Sequence, residues 1–349
     1  MVEVFFVSFL NEPSAKVVGS IKCLIEESGL IRETVEEGDL VALKFHVGEL
    51  GNPYHLRPLW VKVFVDMVRD LGGLPFLTDT TTYYLGARSN AINLHSTARM
   101  HGFTSDSVGA PFIVSDGLRG EDGVVVRVDG NMIKEVEVAS VIAQADVLIS
   151  IAHFKGHPLV GTGGCIKNLA MGCVTKNTKL AQHRLVDIEV DTELCTGCET
   201  CQEKCRWHLP RIDNGVCVIE DPRCMRCPIC RNNCPEGAIT LKNLENLQLG
   251  MANAALGVLK TFKRGKTCFF NFAVNITEFC DCLSNPGKIV REDLGIYASK
   301  DIVAIDKATL DMAGKKPFQK MHGVDPEIQI KASEKLNIGT TKYELIKLP

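Results

Sequence analysis

Eight of the chain's fifteen cysteines repeat one spacing, C-x2-C-x2-C-x3-C, twice. The first run consists of Cys195, Cys198, Cys201 and Cys205, and the second of Cys224, Cys227, Cys230 and Cys234. Disulfides rarely persist in a reducing cytosol, and zinc sites favour C-x2-C pairs that a longer loop separates. Two triplets that are each followed by a fourth cysteine therefore predict a small, turn-rich module folded around bound metal.

The doubled spacing resembles that of bacterial two-cluster ferredoxins. In that family three close thiolates bind one 4Fe-4S cluster, and the fourth cysteine of the run reaches the other cluster. The resemblance implies a first cluster on Cys195, Cys198, Cys201 and Cys234, and a second cluster on Cys224, Cys227, Cys230 and Cys205. Two such clusters in one module are suited to one-electron transfer, so the resemblance implies an electron relay.

The sequence departs from the ferredoxin pattern at Arg206, which stands where a proline usually follows the fourth cysteine. This departure predicts an altered turn beside the second cluster, and a more open or more electropositive site. The module carries five arginines in all, which are Arg206, Arg211, Arg223, Arg226 and Arg231. They are interpreted either as a solvated surface or as charges that raise a cluster potential or bind an acidic redox partner.

Outside the module, apolar runs with strand character alternate with runs at helical spacing, which is typical of an α/β domain with a mostly parallel, helix-covered sheet. The predicted strands are residues 2–9, 39–48, 74–80, 111–116, 146–154 and 266–276. The predicted helices are residues 13–29, 57–73, 86–103 and 243–262, with a hairpin at 123–138 and a last strand and helix in 301–314. The module is thus predicted as an insert at 191–242 in a host domain of residues 1–190 and 243–349.

Composition limits the classes of function. The 39 Lys and Arg residues nearly balance the 42 Asp and Glu residues, and no run of like charges indicates a nucleic-acid or membrane surface. The N-terminal stretch has neither a basic segment nor a cleavage site for export, and no segment reaches the roughly 18 apolar residues of a membrane span. We therefore expect a soluble, cytoplasmic protein that binds neither nucleic acid nor membrane.

The segment HFKGHPLVGTGGCIKNLAMGC, residues 153–173, follows a predicted buried strand, where open α/β folds bind ligands. It is neither a P-loop nor a dinucleotide fingerprint, but its glycines allow backbone amides to approach a ligand. A cofactor or anion pocket is predicted on Lys155, Gly161, Gly163, Gly164, Lys167 and Asn168. A second interpretation makes His153, His157 and Cys165 metal ligands. Two further loops are expected near the same crevice, and their polar residues are His46, His55, Arg57, Asp79, Thr80, Tyr83 and Arg88.

Four segments resemble the iron-sulfur centre proteins of the domain of unknown function 362 family. They are the 153–173 segment, the cysteine insert after it, NITEFCDCLSNPG and DIVAIDKATLDM, and the resemblance spans most of residues 40 to 313. It implies an α/β host with a two-cluster insert in a prokaryotic, anaerobic context, and it implies no particular reaction.

The remaining cysteines fall into two groups. Cys280 and Cys282 would share one face of an extended segment, where they bind a metal, lie beside a cluster or are simply buried. Cys23, Cys173, Cys217 and Cys268 are predicted to be core residues.

Three functions follow as hypotheses. The first is an oxidoreductase whose clusters exchange electrons with a ligand in the host pocket. The second is a non-enzymatic electron carrier or docking subunit, with a ferredoxin or an oxidoreductase as partner. The third is a protein that delivers clusters or metals.

Overall fold

A computed structural model describes residues 1–9 and 16–349 of the chain. In its first half strands largely alternate with helices, as the sequence predicts. These elements are β1 (Val2–Ser8), α1 (Val17–Ser28), β2 (Leu40–Lys44), α2 (Pro58–Asp70), β3 (Leu74–Asp79), α3 (Ala91–Met100), α4 (Ser105–Val108), β4 (Phe112–Val114), β5 (Gly123–Arg127), β6 (Glu135–Ala139), α5 (Ser140–Gln144), β7 (Val147–His153), β8 (Lys155–His157), β9 (Gly161–Gly163), α6 (Cys165–Gly172) and α7 (Lys176–His183). The predicted start of the first helix, residues 13–15, lies outside the described residues.

The cysteine module and the rest of the host domain follow. The module's elements are β10 (Asp187–Val190), α8 (Thr200–Lys204), β11 (Arg211–Asp213), β12 (Val216–Val218), α9 (Ile229–Asn233) and β13 (Ile239–Lys242). The host continues with α10 (Leu244–Leu259), β14 (Thr267–Ala273), β15 (Gly295–Ser299), α11 (Ile302–Ala313), α12 (Lys315–His322), α13 (Ile328–Lys335) and β16 (Tyr343–Lys347).

The host sheet has eight strands in the order β16-β1-β15-β14-β7-β2-β3-β4. Only β15 runs antiparallel to its neighbours, β1 and β14, and the other neighbouring strands are parallel. One hydrophobic cluster packs on each face of the sheet, so its inner strands are mostly apolar. These observations confirm the predicted mostly parallel α/β fold, and β5 and β6 confirm the predicted hairpin.

Helix α2 shows how the sequence specifies these elements. Pro58 occupies its first turn, where a missing N–H costs nothing, and a stripe of apolar residues that includes Phe64 and Val68 is buried against the sheet. The helix ends just before Gly72, which has a φ of 80°. Few L-residues adopt that backbone angle, so the glycine permits the turn into β3.

The predicted strand at the start of residues 301–314 is wrong. Asp301 accepts hydrogen bonds from the backbone N–H groups of Val303 (2.8 Å) and Ala304 (2.9 Å), so it caps α11, which begins at Ile302. The strand lies upstream as β15, where the short segment GIYAS gave no sequence signal. Helices α12 and α13 and the edge strand β16 were also missed.

Within the module, β10 pairs antiparallel with β13. This pairing brings the beginning and the end of the module together beside the host. A short hairpin of β11 and β12 lies between the two cysteine runs. Helix α8 starts within the first run and α9 within the second, and the two helices pack on each other. The folded module therefore begins at Asp187, a few residues before the amino-acid composition changes at about residue 191.

Candidate functional site

A large cavity, with a volume of about 470 Å³, lies between the host and the cysteine module. Strands β2, β3 and β7 are parallel neighbours, so the residues after them meet at one edge of the sheet. His46, Asp79 and Lys155 line the cavity from this edge, and Cys205 and Cys227 line it from the module. The host crevice that the sequence predicts is thus closed on one side by the module.

The cysteines of the module divide between two cavities. Cys205, Cys224, Cys227 and Cys230 all line the large cavity. Cys195, Cys198, Cys201 and Cys234 line a separate small cavity of about 20 Å³. Each set combines one triplet with the fourth cysteine of the other run, which is the grouping that the ferredoxin resemblance implies.

Cys217 packs against the first of these groups. Its backbone N–H donates to the sulfur of Cys195 at 3.3 Å, and its own sulfur lies 3.3 Å from that of Cys201. The residue is buried, as predicted for a core cysteine. A backbone N–H directed at a sulfur is the kind of contact that stabilises a ligating thiolate.

The turn at residues 280–282 carries a buried aspartate between its two cysteines. One carboxylate oxygen of Asp281 accepts hydrogen bonds from Nδ1 of His153 (2.9 Å) and Nζ of Lys155 (2.5 Å). Burial opposes ionisation of this carboxyl, but the charges of His153 and Lys155 hold its pKa well below the ordinary value. These two hydrogen bonds therefore fix the turn to the end of β7 and the start of β8.

His157, Cys280 and Cys282 come together at this turn. One ligating atom from each residue lies within 4.8 Å of the other two, and all three residues line the large cavity. The Cys282 thiol hydrogen-bonds to Cys280 and holds the pKa of Cys280 well below its ordinary value, against the effect of burial. Lys167, whose Nζ lies 3.4 Å from the Cys280 sulfur, adds to that effect. Two separate sequence hypotheses, the histidines of 153–173 and the 280/282 pair, thus meet in one cluster.

His153 and Cys165 do not belong to this cluster. Both ring nitrogens of His153 are engaged, Nδ1 with Asp281 and Nε2 with the Val274 carbonyl at 2.7 Å. Cys165 is fully buried beside Asn271, and burial raises its pKa well above the ordinary value. Of the three residues in the second sequence interpretation, only His157 therefore lies in this cluster.

The glycines of residues 161–164 have structural explanations. A Cβ on Gly161 would come within 2.7 Å of Pro326, and one on Gly164 within 2.5 Å of the Asp306 carboxylate. That carboxylate accepts the N–H groups of Cys165 (2.8 Å) and Ile166 (2.9 Å), so it caps α6 from within the fold. The Asp306 carboxylate therefore already occupies the place at the first turn of α6 where an anionic ligand would bind.

Of the six residues predicted as a cofactor pocket, five line the large cavity, and Gly161 does not. Asn168 accepts a hydrogen bond from Nζ of Lys44 at 2.9 Å and donates to Ser150. Lys44 is itself buried and lies 3.1 Å from Asp79. Like Lys155, these polar groups on the host side of the cavity form hydrogen bonds and ion pairs with other protein groups.

Of the loop residues predicted near the crevice, five line the cavity, namely His46, Asp79, Thr80, Tyr83 and Arg88. His55 stacks on His101 instead, with ring centres 4.0 Å apart, and Arg57 lies over Trp60. Sequence reasoning missed Tyr84, whose hydroxyl donates to the Cys282 carbonyl at 3.2 Å, and the buried Lys44, which pairs with the predicted Asp79. A lysine inside the apolar strand LVALK was the available signal for that pair.

The family model described as domain of unknown function (DUF362) matches residues 41–311. The chain belongs to this family. No curated protein matches the DUF362 chain described here. Among the residues that the structure describes, every helix of this DUF362 protein is too short or too polar to cross a membrane.

Two solved structures are similar to the DUF362 chain at low identity. One is the lactate racemase apoprotein from Thermoanaerobacterium thermosaccharolyticum, with 10% identity and a TM-score of 0.39, covering 78% of this chain and 51% of that one. The other is a protein from Thermotoga maritima, with 11% identity and a TM-score of 0.43, covering 91% of this chain and 59% of that one. The DUF362 chain spans between half and three fifths of the length of these two proteins.

Proposed function

We propose that this protein is an iron-sulfur electron-transfer protein that carries two 4Fe-4S clusters in residues 191–242. The observation that carries the proposal is the division of eight cysteines into two crossed groups of four, each around its own cavity. The donor set consists of thiols alone, as such clusters require, and a backbone N–H already points at the Cys195 sulfur. Clusters of this type supply one-electron transfer when they are bound.

The two cysteine groups have different surroundings: the first reaches the protein surface and the second lines the host cavity. The proposed electron relay would therefore connect the surface with the cavity. Cys198 of the first group is exposed, and Cys201 is buried. The second group lines the host cavity together with Lys167 and Cys280. A redox partner protein, such as a ferredoxin or an oxidoreductase, would then exchange electrons at the exposed group, and a ligand in the host cavity would exchange them at the inner group. On this basis we favour an oxidoreductase over a simple carrier.

The arginines of the module give only weak support for a surface that attracts an acidic redox partner. Arg223 pairs with Asp221 at 2.7 Å and Arg211 lies 3.4 Å from Glu220, and both arginines are largely exposed. These charges are neutralised locally, so they attract an acidic partner weakly. Arg206 points toward the host instead, where it donates to the Leu85 carbonyl.

Iron and sulfide analysis of protein purified without oxygen tests the cluster content. The expected result is about eight irons and about eight sulfides per chain, with an electron paramagnetic resonance signal of two interacting clusters after reduction. Markedly fewer irons after anaerobic reconstitution would overturn the two-cluster proposal.

Double variants test the crossed ligation. If Cys205 and Cys224 serve the same cluster, Cys205→Ala/Cys224→Ala should lose about half of the iron, and each single variant should lose about the same amount. Cys205→Ala/Cys201→Ala should lose nearly all of it, because the two residues would then serve different clusters. The reverse order of iron contents would show that each run holds its own cluster.

A further inference from the structure

We propose that His157, Cys280 and Cys282 bind one thiophilic divalent metal ion, with a coordination position open to the large cavity. Their ligating atoms lie within 4.8 Å of one another. In a tetrahedral zinc site, bonds of about 2.3 Å to sulfur and about 2.0 Å to nitrogen place the ligand atoms roughly 3.5 to 3.8 Å apart. A contraction on the order of 1 Å therefore closes the site. The site shares no residue with either group of module cysteines, so the inference does not depend on the proposed clusters.

The donor set selects the class of metal. Two thiols and an imidazole suit Zn²⁺, Fe²⁺ or Co²⁺, whereas Mg²⁺ and Ca²⁺ require oxygen ligands. Zinc sites with four protein ligands are structural, and sites with three keep a position for water or substrate. Because all three residues line the cavity, the remaining position faces the space that a ligand would occupy.

The backbone holds both halves of the site in register. The N–H of Gly156 donates to the Thr277 carbonyl at 2.9 Å, which pairs β8 with the segment that leads into the cysteine turn. A Cβ at Gly156 would lie 2.2 Å from the Glu278 carbonyl oxygen, so only glycine permits this approach. His157 is therefore presented to the turn by a close backbone contact that needs no metal to form.

Contacts on the other sides fix the cysteines. Asp281, between them, is held by His153 and Lys155, and its carbonyl accepts the Glu49 N–H at 2.8 Å. The Tyr84 hydroxyl donates to the Cys282 carbonyl. Such supporting contacts orient the primary ligands of protein metal sites and add to their affinity.

Lys167 completes the surroundings of the proposed metal. Its Nζ lies 3.4 Å from the Cys280 sulfur, and among the described residues it forms no ion pair with a carboxylate. Two thiolates neutralise a divalent cation, so a lysine hydrogen-bonded to one of them adds a positive charge beside the open position. That position would therefore favour an anionic exchangeable ligand.

Zinc is a suitable probe because an N/S site binds it more tightly than Fe²⁺ or Co²⁺. Full-length protein purified without oxygen would be given Zn²⁺, and bound zinc would be counted by elemental analysis and characterised by X-ray absorption at the zinc edge. That absorption is specific to the element, so iron elsewhere in the chain does not interfere. The expected result is one zinc per chain with two sulfur ligands at about 2.3 Å and one nitrogen ligand at about 2.0 Å.

Variants assign the ligands. His157→Gln, Cys280→Ser and Cys282→Ser should each weaken zinc binding at least tenfold, and His157→Gln should also remove the nitrogen signal. Cys23→Ser, on the distant helix α1, and Cys165→Ala should bind zinc as the unaltered chain does. Iron content, measured on the same samples, should stay the same in all five variants, which separates this site from the proposed clusters.

Three results would overturn the proposal. The first is the absence of bound zinc. The second is a zinc with four sulfur ligands that persists in Cys280→Ser, which would place it on the module cysteines. The third is unchanged binding in His157→Gln, which would reduce the site to a pair of thiols.

Discussion

The guanidinium of Arg206 lies 5.9 Å from the centre of the Tyr84 ring, and Tyr84 in turn donates its hydroxyl to the Cys282 carbonyl. Arg206 directly follows Cys205, so these two contacts connect a cysteine of the module with the cysteine turn of the host. The one residue that departs from the ferredoxin pattern is thus among the module residues that contact the host. A proline there could neither donate to the Leu85 carbonyl nor cover the ring.

Arg206→Ala should loosen the host loop that contacts the module. Loss of one hydrogen bond and one cation–π contact corresponds to about 1 to 2 kcal/mol, so amide hydrogen exchange in residues 82–88 should become about tenfold faster. Arg211→Ala is the matched control, because the Arg211 side chain forms only an exposed pair with Glu220 among residues 1–9 and 16–349. Equal exchange in both variants would show that Arg206 does not hold the loop.

Gly164→Ala should destabilise the host domain by about 1 to 3 kcal/mol. The new Cβ would lie 2.5 Å from a carboxylate oxygen of Asp306, which must then move and release the first turn of α6. Gly19→Ala is the opposite control, because a Cβ there meets nothing within 4 Å inside α1 and should stabilise by about 0.5 to 1 kcal/mol. The midpoints of denaturant unfolding measure both changes. A Gly164→Ala protein of unaltered stability would argue that the glycine serves a ligand instead.

Much of the fold could be predicted because its signals are local. The apolar run from Val147 is long and bounded by turns, and α2 has a proline at its start and glycines after its end. The helix α11 was mistaken at its start because Ile302 and Val303 have strand propensity, and the hydrogen-bonded N-cap Asp301 outweighs that propensity. Edge strand β16 depends on pairing with β1, more than 300 residues away, which no local pattern encodes.

The parts of the candidate site were predicted separately, but their meeting in one cluster was not. His157 and the 280/282 pair each gave a signal, but more than 120 residues separate them, and their meeting depends on the order of strands β7 and β14 and on the loops that follow. The glycines near residue 163 were interpreted as a ligand cradle, whereas close packing against Pro326 and Asp306 explains Gly161 and Gly164. A sequence shows which residues allow a close approach, but only the tertiary structure shows whether a ligand or another part of the chain approaches them.

Asp306 should make host stability depend on pH. Burial raises its pKa to about 6, against the effect of its hydrogen bonds, whereas an unfolded chain would have a value of about 4. Between these values the folded chain binds more protons, so the stability that Asp306 contributes is present at low pH and is lost as pH rises through about 6. From pH 5 to pH 7 the unaltered chain should lose about 1 kcal/mol relative to Asp306→Asn, which cannot titrate.

Tryptophan fluorescence can measure this difference. The chain has two tryptophans, and Trp207→Phe in both proteins leaves Trp60, which is buried in α2, as the reporter of host unfolding. Groups other than Asp306 titrate in both proteins, so their effects cancel in the comparison. A difference that stays constant from pH 5 to pH 7 would mean that the Asp306 carboxyl has an ordinary pKa.

Lys155 and Asp281 should prove energetically coupled. Lys155→Met leaves the Asp281 carboxylate buried with only His153 beside it, and breaking a buried pair in this way costs about 3 kcal/mol. Lys155→Met/Asp281→Asn removes the unpaired charge, so its loss of unfolding free energy should be smaller than the sum of the two single losses by at least about 1 kcal/mol. Denaturant unfolding of the four proteins at pH 7 gives this coupling. Additive losses would mean that Lys155 does not stabilise the turn, and the interpretation of Lys155 as a ligand-binding residue would then regain support.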